Sequence, residues 1–168
     1  LGELVVNFDA AGRVTSATGA PILIDASVPE NAAIEARVAE AAAPLDEIRN
    51  KVVAESAAPI SGARADCRTG ECQMGNLVAD ALLDRVKGQG IEVALYNGGG
   101  LRASIGAGPV TMGDVLSVLP FQNTLATFRI DGAALLAALE NGVSALESGA
   151  GRFPQVAGMR FAVDITAP

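Results

Sequence analysis

Residues 96–124 read YNGGGLRASIGAGPVTMGDVLSVLPFQNT, and the reading of this stretch decides the rest. Three consecutive glycines, Gly98 to Gly100, follow directly on an apolar run. Glycines in series cost backbone entropy, so they mark either positive φ or a close approach to the main chain. Arg102, two residues past the last glycine, adds a planar fork of donors suited to phosphate or carboxylate. Phe121 stands between Pro120 and the amides Gln122 and Asn123, a flat ring in a polar loop. Together these features imply a small anionic ligand with a flat part.

The 168 residues suit one domain of ordinary size with an appendage. Half are apolar and 18% are charged, enough for a core and too few charges for general disorder. A net charge of −7 without any Lys/Arg cluster excludes a polymeric nucleic acid as partner, because its phosphates demand neutralising cations. No run of about 18 uncharged apolar residues occurs, so no membrane-spanning helix is expected. Histidine is absent, which removes the usual general base and the commonest transition-metal ligand together. With two cysteines and scattered carboxylates besides, neither a catalytic residue nor a metal or cofactor site is expected in the chain itself.

Working outward, Ile91 to Tyr96 reads as a short buried strand, with Asn97 and the glycines at its carboxyl end, where ligands bind in open α/β sheets. Thr111 followed by Asp114 is a capping pair that opens a short helix, and Pro120 stops it. Thr124–Ile130 alternates as a strand, Ala133 to about Leu146 is helical, 149–154 is a loop, and Met159–Ile165 is a last strand. Upstream, Met74, Leu77, Val78, Ala81, Leu82 and Val86 follow helical spacing, with Gly88 and Gly90 as stops. Residues 1–24 read as two strands joined by the turn Asp9–Gly12. Residues 28–56 read as one connecting helix opened by Pro29-Glu30-Asn31, with Val52 and Val53 on its apolar face and a kink or restart at Pro44. The first residues fall mid-pattern and the last, Ala167-Pro168, close no helix, so truncation is expected at both ends.

Several local features admit two readings. Gly98–Ala103 satisfies G-x-G-x-x-A, but Gly106, Gly108 and Pro109 forbid the helix that a dinucleotide fingerprint needs. Arg64 and Arg68 precede a helix N-terminus, where cations oppose the dipole; they are a solvated pair or they face a ligand. Phe121 is a core ring or a stacking platform. Cys67 and Cys72, five apart, are a local disulfide or two buried thiols.

The motifs taken together resemble the 5'-nucleotidase C-terminal domain of secreted and periplasmic nucleotide and UDP-sugar hydrolases. The resemblance rests on LGELVVNFDAAGRVTSATGAPILID, CRTGECQMGNLVADALL, the stretch from Tyr96 already quoted, IDGAALLAALENGVS and GRFPQVAGMRFAVD, nearly end to end. It implies an α+β domain, a mixed β-sheet packed with helices and incomplete at its C-terminal end. It implies three segments: a strand pair at 1–27 leaving a metallophosphatase domain, a linker helix at 28–60, and a substrate-binding domain at 61–168.

The family's N-terminal domain carries two divalent metal ions and performs the hydrolysis, so that domain is the expected partner and this chain alone is expected to be inactive. Carried over by position, Arg64, Arg68 and Arg102 contact substrate phosphate or a similar group. Asn97 and Asn123 contact the base, Gly99 and Gly100 lie against the nucleoside, and Phe121 stacks on one face of the base. The resemblance also implies a Cys67–Cys72 disulfide and a periplasmic or extracellular home. The second stacking aromatic belongs to a later GDG-aromatic segment that this sequence does not contain. The alternative function is a non-catalytic ligand-binding or interaction module of the same fold.

Overall fold

The computed structural model describes residues 1–166 and divides the chain into two compact units, Leu1–Pro44 and Leu45–Pro168. The expectation about Ala167-Pro168 lies outside the described residues.

In the first unit, β1 (Gly2–Phe8) pairs antiparallel with β2 (Val14–Pro21), from Gly2 opposite Pro21 to Phe8 opposite Val14. The turn follows its residues. Asp9 Oδ1 accepts from the N–H groups of Ala11 and Arg13, both at 2.9 Å, and Gly12 takes a φ of 77° that a side chain would resist.

Helix α1 (Ala32–Asn50) starts where Asn31 Oδ1 accepts from the N–H groups of Ala33 and Ile34. Two expectations for this region need correction. The helix runs through Pro44 without restarting; Glu40, whose carbonyl loses its donor there, is exposed, so water can replace the bond. The helix also stops at Asn50, and Val52–Ser56 is strand β3, not a continuation. Two adjacent β-branched residues favour the pleated backbone, and β3 finds a partner in β5 (Gly108–Thr111), a strand that the sequence reading did not contain.

The rest of the second unit surrounds α3 (Gln73–Val86). Met74, Val78, Ala79 and Val86 are its buried positions, while Leu77 and Ala81, expected on the same face, are exposed. Met74 and Val78 join Cys67, Cys72, Leu101, Ile105, Val110 and Val118 in the main core. Ala79 meets Ala94 and Ala157, where small side chains let the helix sit close on strands β4 (Ala94–Asn97) and β6 (Pro154–Ala157). The α+β class holds, and the strands form three antiparallel pairs, β1–β2, β3–β5 and β4–β6, in place of one mixed sheet.

The two expected strands after Pro120 are not formed. Residues 124–130 and 159–165 lie outside regular structure, with Leu125, Phe128 and Ile130 exposed. A period-two pattern makes a strand only where an edge is free to pair, and no described residue pairs with either segment. The last strand is the short β6, which begins on Pro154, a position that tolerates the missing N–H. Helices α4 (Met112–Val118) and α5 (Gly132–Val143) lie where expected.

The cap of α4 is reciprocal. Thr111 N–H and Oγ1–H both donate to Asp114 Oδ2, at 2.8 and 2.7 Å, and Asp114 N–H donates back to Thr111 Oγ1 at 3.2 Å. The Thr111 hydroxyl and N–H hold the Asp114 carboxyl below its ordinary 3.8. A depressed pKa contributes stability above 3.8 that is lost as the pH falls through the lower folded value. Thr111→Ala is expected to destabilise the protein by about 1 kcal/mol at neutral pH. The gap between variant and wild type should narrow below pH 3.8, as followed by urea unfolding across pH.

Candidate functional site

Strand β4 delivers the candidate site by ending at Asn97 and passing directly into a single 3₁₀ turn, Gly98–Gly100. None of these three glycines has positive φ, so the reason for them is close approach, and it is the chain itself that approaches. A Cβ on Gly98 would overlap the carbonyl oxygen of Cys67, and a Cβ on Gly100 would lie 2.6 Å from the Tyr96 hydroxyl. Gly99 donates to the Gly151 carbonyl at 2.9 Å, and a Cβ there would press on the same oxygen. Gly98 donates to Phe153 O at 2.9 Å, which ties the turn to the segment leading into β6.

The carbonyl under Gly98 belongs to a second short loop. Helix α2 (Arg64–Cys67) is a single turn, and Cys67 and Cys72 form a disulfide across the five-residue separation that contains Arg68. Both cysteines are buried. Arg68 is half-buried, and its Nη1 donates to Gly149 O at 3.0 Å. Gly151, at φ 86°, leaves room for the guanidinium: a Cβ there would stand 3.3 Å from Arg68 Cζ. Arg68 Nε is buried with no acceptor, an unsatisfied donor on a charged group.

Three cations converge here. Burial first, then the positive charges of Arg64 and Arg102, lower the Arg68 pKa from its ordinary value. Among the described residues the sole ion pair joins Lys87 to Asp84, so none of the three arginines is neutralised by a carboxylate. Arg64 and Arg102 are exposed. Arg102 is anchored by its backbone, whose N–H donates to Val118 O at 3.0 Å, and its Cζ lies 5.7 Å from the centroid of the Phe121 ring.

Phe121 is 55% exposed and belongs to neither core cluster, which decides against the core reading of this ring. The next residue, Gln122, has a φ of 52°, the sole non-glycine positive φ among the described residues. A conformation of that kind costs about 1–3 kcal/mol and concentrates at functional sites. Asn97 is exposed, and its Nδ2 donates to Gly151 O at 3.3 Å, so Asn97, Gly99 and Arg68 meet around one residue. Asn123 is exposed, and no hydrogen bond joins it to the others among the described residues.

The structure thus brings Arg64, Arg68 and Arg102 together, adds Phe121 through Arg102, and adds Asn97 and Gly99 through Gly151. Sequence reasoning missed Gly149 and Gly151, passed over as plain loop; two glycines around one alanine were the signal, and both take positive φ. A cavity of about 440 Å³ opens beside Asn97 and Gly151, bounded by Asn141 and Arg152 among others. No three His, Cys, Asp or Glu side chains among the described residues are grouped to hold a metal ion, so the residues present do not fit one.

Comparison with known proteins places these features in a family. The sequence pattern of the 5'-nucleotidase, C-terminal domain, matches residues 52–168. The chain is 38% identical over 164 residues to the trifunctional nucleotide phosphoesterase protein of Bacillus subtilis, covering 96% of this chain and 11% of that protein. It is 32% identical over 176 residues to the 5'-nucleotidase of Bos taurus, covering 99% of this chain and 31% of that one. Among solved structures, the 5'-nucleotidase precursor of Thermus thermophilus superposes with a TM-score of 0.77 at 42% identity, over 99% of this chain and 33% of that one. The chain therefore spans a third or less of each of these proteins. It belongs to the 5'-nucleotidase C-terminal domain family.

The packing of the glycine turn gives a direct test. Gly98→Ala must displace the Cys67 backbone, and its expected cost is about 3 kcal/mol or more. Gly106→Ala, with nothing within 4 Å of its Cβ, should stay within about 0.5 kcal/mol of wild type. Thermal unfolding of the two variants side by side measures the contrast.

Proposed function

We propose, with membership of the 5'-nucleotidase C-terminal domain family as the premise, that this chain is the nucleotide-recognition part of a metal-dependent 5'-nucleotidase. The observation that carries the reading is the group of three guanidinium ions without a carboxylate, in a chain whose net charge is −7. Acidic residues are plentiful, yet none neutralises these cations. An anionic ligand supplies the missing charge, and the Arg68 Nε, which has no acceptor among the described residues, supports that reading. Helix, disulfide and glycine packing place the cations on rigid elements, as an electrostatic clamp requires.

In this reading Arg64, Arg68 and Arg102 bind phosphate or a comparable anionic group. Phe121 stacks on one face of the base, and the guanidinium of Arg102 beside it couples the anionic end of the ligand to the flat end. Asn97 and Asn123 read the base edge, and Gly99 and Gly100 lie against the nucleoside. Residues 1–27 form a strand pair at the exit of a metallophosphatase domain, the helix that follows is a linker, and the recognition domain takes in β3 together with 61–168. Hydrolysis, with its two divalent metal ions, belongs to that N-terminal domain in the longer protein, and no step of it is assigned to residues of this chain. The disulfide supports a periplasmic or extracellular setting. No helix among the described residues is long and apolar enough to cross a membrane.

Two measurements on the full-length protein test the reading. It is expected to release phosphate from adenosine monophosphate when a divalent metal is added, and residues 1–168 alone are not. Phe121→Ala is then expected to raise KM for adenosine monophosphate about tenfold or more, the value of one base–aromatic stack. Because the ring is largely exposed, Tm should move by only a few degrees. Ribose 5-phosphate, which has no base, should lose much less. Equal losses on both substrates together with a large fall in Tm would overturn the assignment of Phe121.

A further inference from the structure

Gln155 is the buried polar side chain of the core, 1% exposed, and every polar atom it carries is engaged with one loop. Its Oε1 accepts from Cys72 N–H at 3.2 Å, and its Nε2 donates to the carbonyls of Cys67 and Gly70, at 3.0 and 2.8 Å. Those three residues bracket the disulfide loop that carries Arg68. Gln155 stands on β6 opposite Tyr96 of β4, so the same side chain links the arginine loop to the strand that ends at Asn97. Helix α3 makes room for it at Gly75, where a Cβ would overlap the carboxamide.

A buried amide that merely fills space is a poor choice, since its desolvation offsets most of what its hydrogen bonds return. Direction is what it adds. The disulfide fixes the distance between the two ends of the loop but does not by itself set which way the carbonyls between them face. The Thr69 and Gly70 N–H groups donate back to Asp66 O, and the three Gln155 bonds, two to carbonyls inside the ring and one to its closing N–H, hold the carbonyl side. Arg68 follows Cys67 directly, so the setting of the Cys67 carbonyl sets where the guanidinium emerges. We propose that Gln155 is a positioning residue for Arg68, holding the disulfide loop in the one orientation that presents the guanidinium to an anionic ligand. The inference rests on the reading of Arg68 as an anion contact.

A double-mutant cycle in the full-length protein tests it, with adenosine monophosphate as the probe and affinity read by calorimetry. The set is wild type, Gln155→Met, Arg68→Ala and the double variant, with Tm recorded for each. Gln155→Met keeps the volume and loses the donors. It is expected to weaken binding about tenfold when Arg68 is present and less than about twofold when Arg68 is already alanine, a coupling within the range of neighbouring residues. Equal losses in both backgrounds, or no loss in either, would overturn the positioning role, because a general effect on folding does not depend on Arg68. An Arg68→Ala variant that binds as well as wild type would instead overturn the reading of the site itself. Should Gln155→Met fail to fold, Gln155→Asn, whose carboxamide is one methylene too short to reach all three loop groups, takes its place with the same expectation.

Discussion

The second unit depends on a backbone packed against a backbone. Gly98 rests on the Cys67 carbonyl so closely that no side chain fits between them. This contact joins a turn at the end of β4 to a loop before α3, and it fixes how near the candidate ligand groups of the two segments come. Everything around it serves to keep it in place. Phe153 O receives the Gly98 N–H, the disulfide closes the loop from one side, and the Gln155 carboxamide holds it from the other. Overpacking at such a point has no flexible partner to absorb it, because both sides are main chain.

How far the sequence could be read follows from which interactions are local. The hairpin turn at Asp9–Gly12 and the Thr111–Asp114 box are each settled within a few residues, and each formed as read. Helix α3 was legible from its period, though Leu77 and Ala81, on the same stripe, stay exposed. Failures came where pairing across the chain decides. Val52 and Val53 fit a helical stripe, but an edge at Gly108–Thr111 drew them into a strand. Residues 124–130 alternate perfectly well and remain outside regular structure, because alternation states a preference and only a partner strand satisfies it. For the candidate site, the glycine triplet and the arginines were visible as residue types. Gln155 was not, since a glutamine in an apolar segment gives no hint that three backbone groups converge on it.

The glycine triplet shows how one signal can carry two explanations. In sequence it announces a close approach, and a ligand is the natural candidate. The structure shows that Cys67, Gly151 and Tyr96 already occupy the places where three Cβ atoms would go. Internal packing is therefore enough to require glycine at Gly98 and disfavours a side chain at Gly99, where main chain approaches, while at Gly100 the neighbour is a side chain. The proposal of a ligand rests instead on the neighbouring groups: arginines without an ion pair among the described residues, an exposed ring and a positive φ at Gln122.

Electrostatics then explains why the scaffold must be stiff. Three guanidinium groups repel one another, and in an open, flexible loop each would swing away into water, where its charge is best solvated. Arg68 is prevented from doing so. It is half-buried, bonded to Gly149 and carried on a loop crossed by a disulfide, so its pKa is lowered first by burial and then by the charges of Arg64 and Arg102. A nearby carboxylate would have relieved that repulsion at little structural cost, but it would also have filled the site with the protein's own anion. In the proposed reading, cations without a carboxylate among the described residues keep that free energy of neutralisation for the anion that binds.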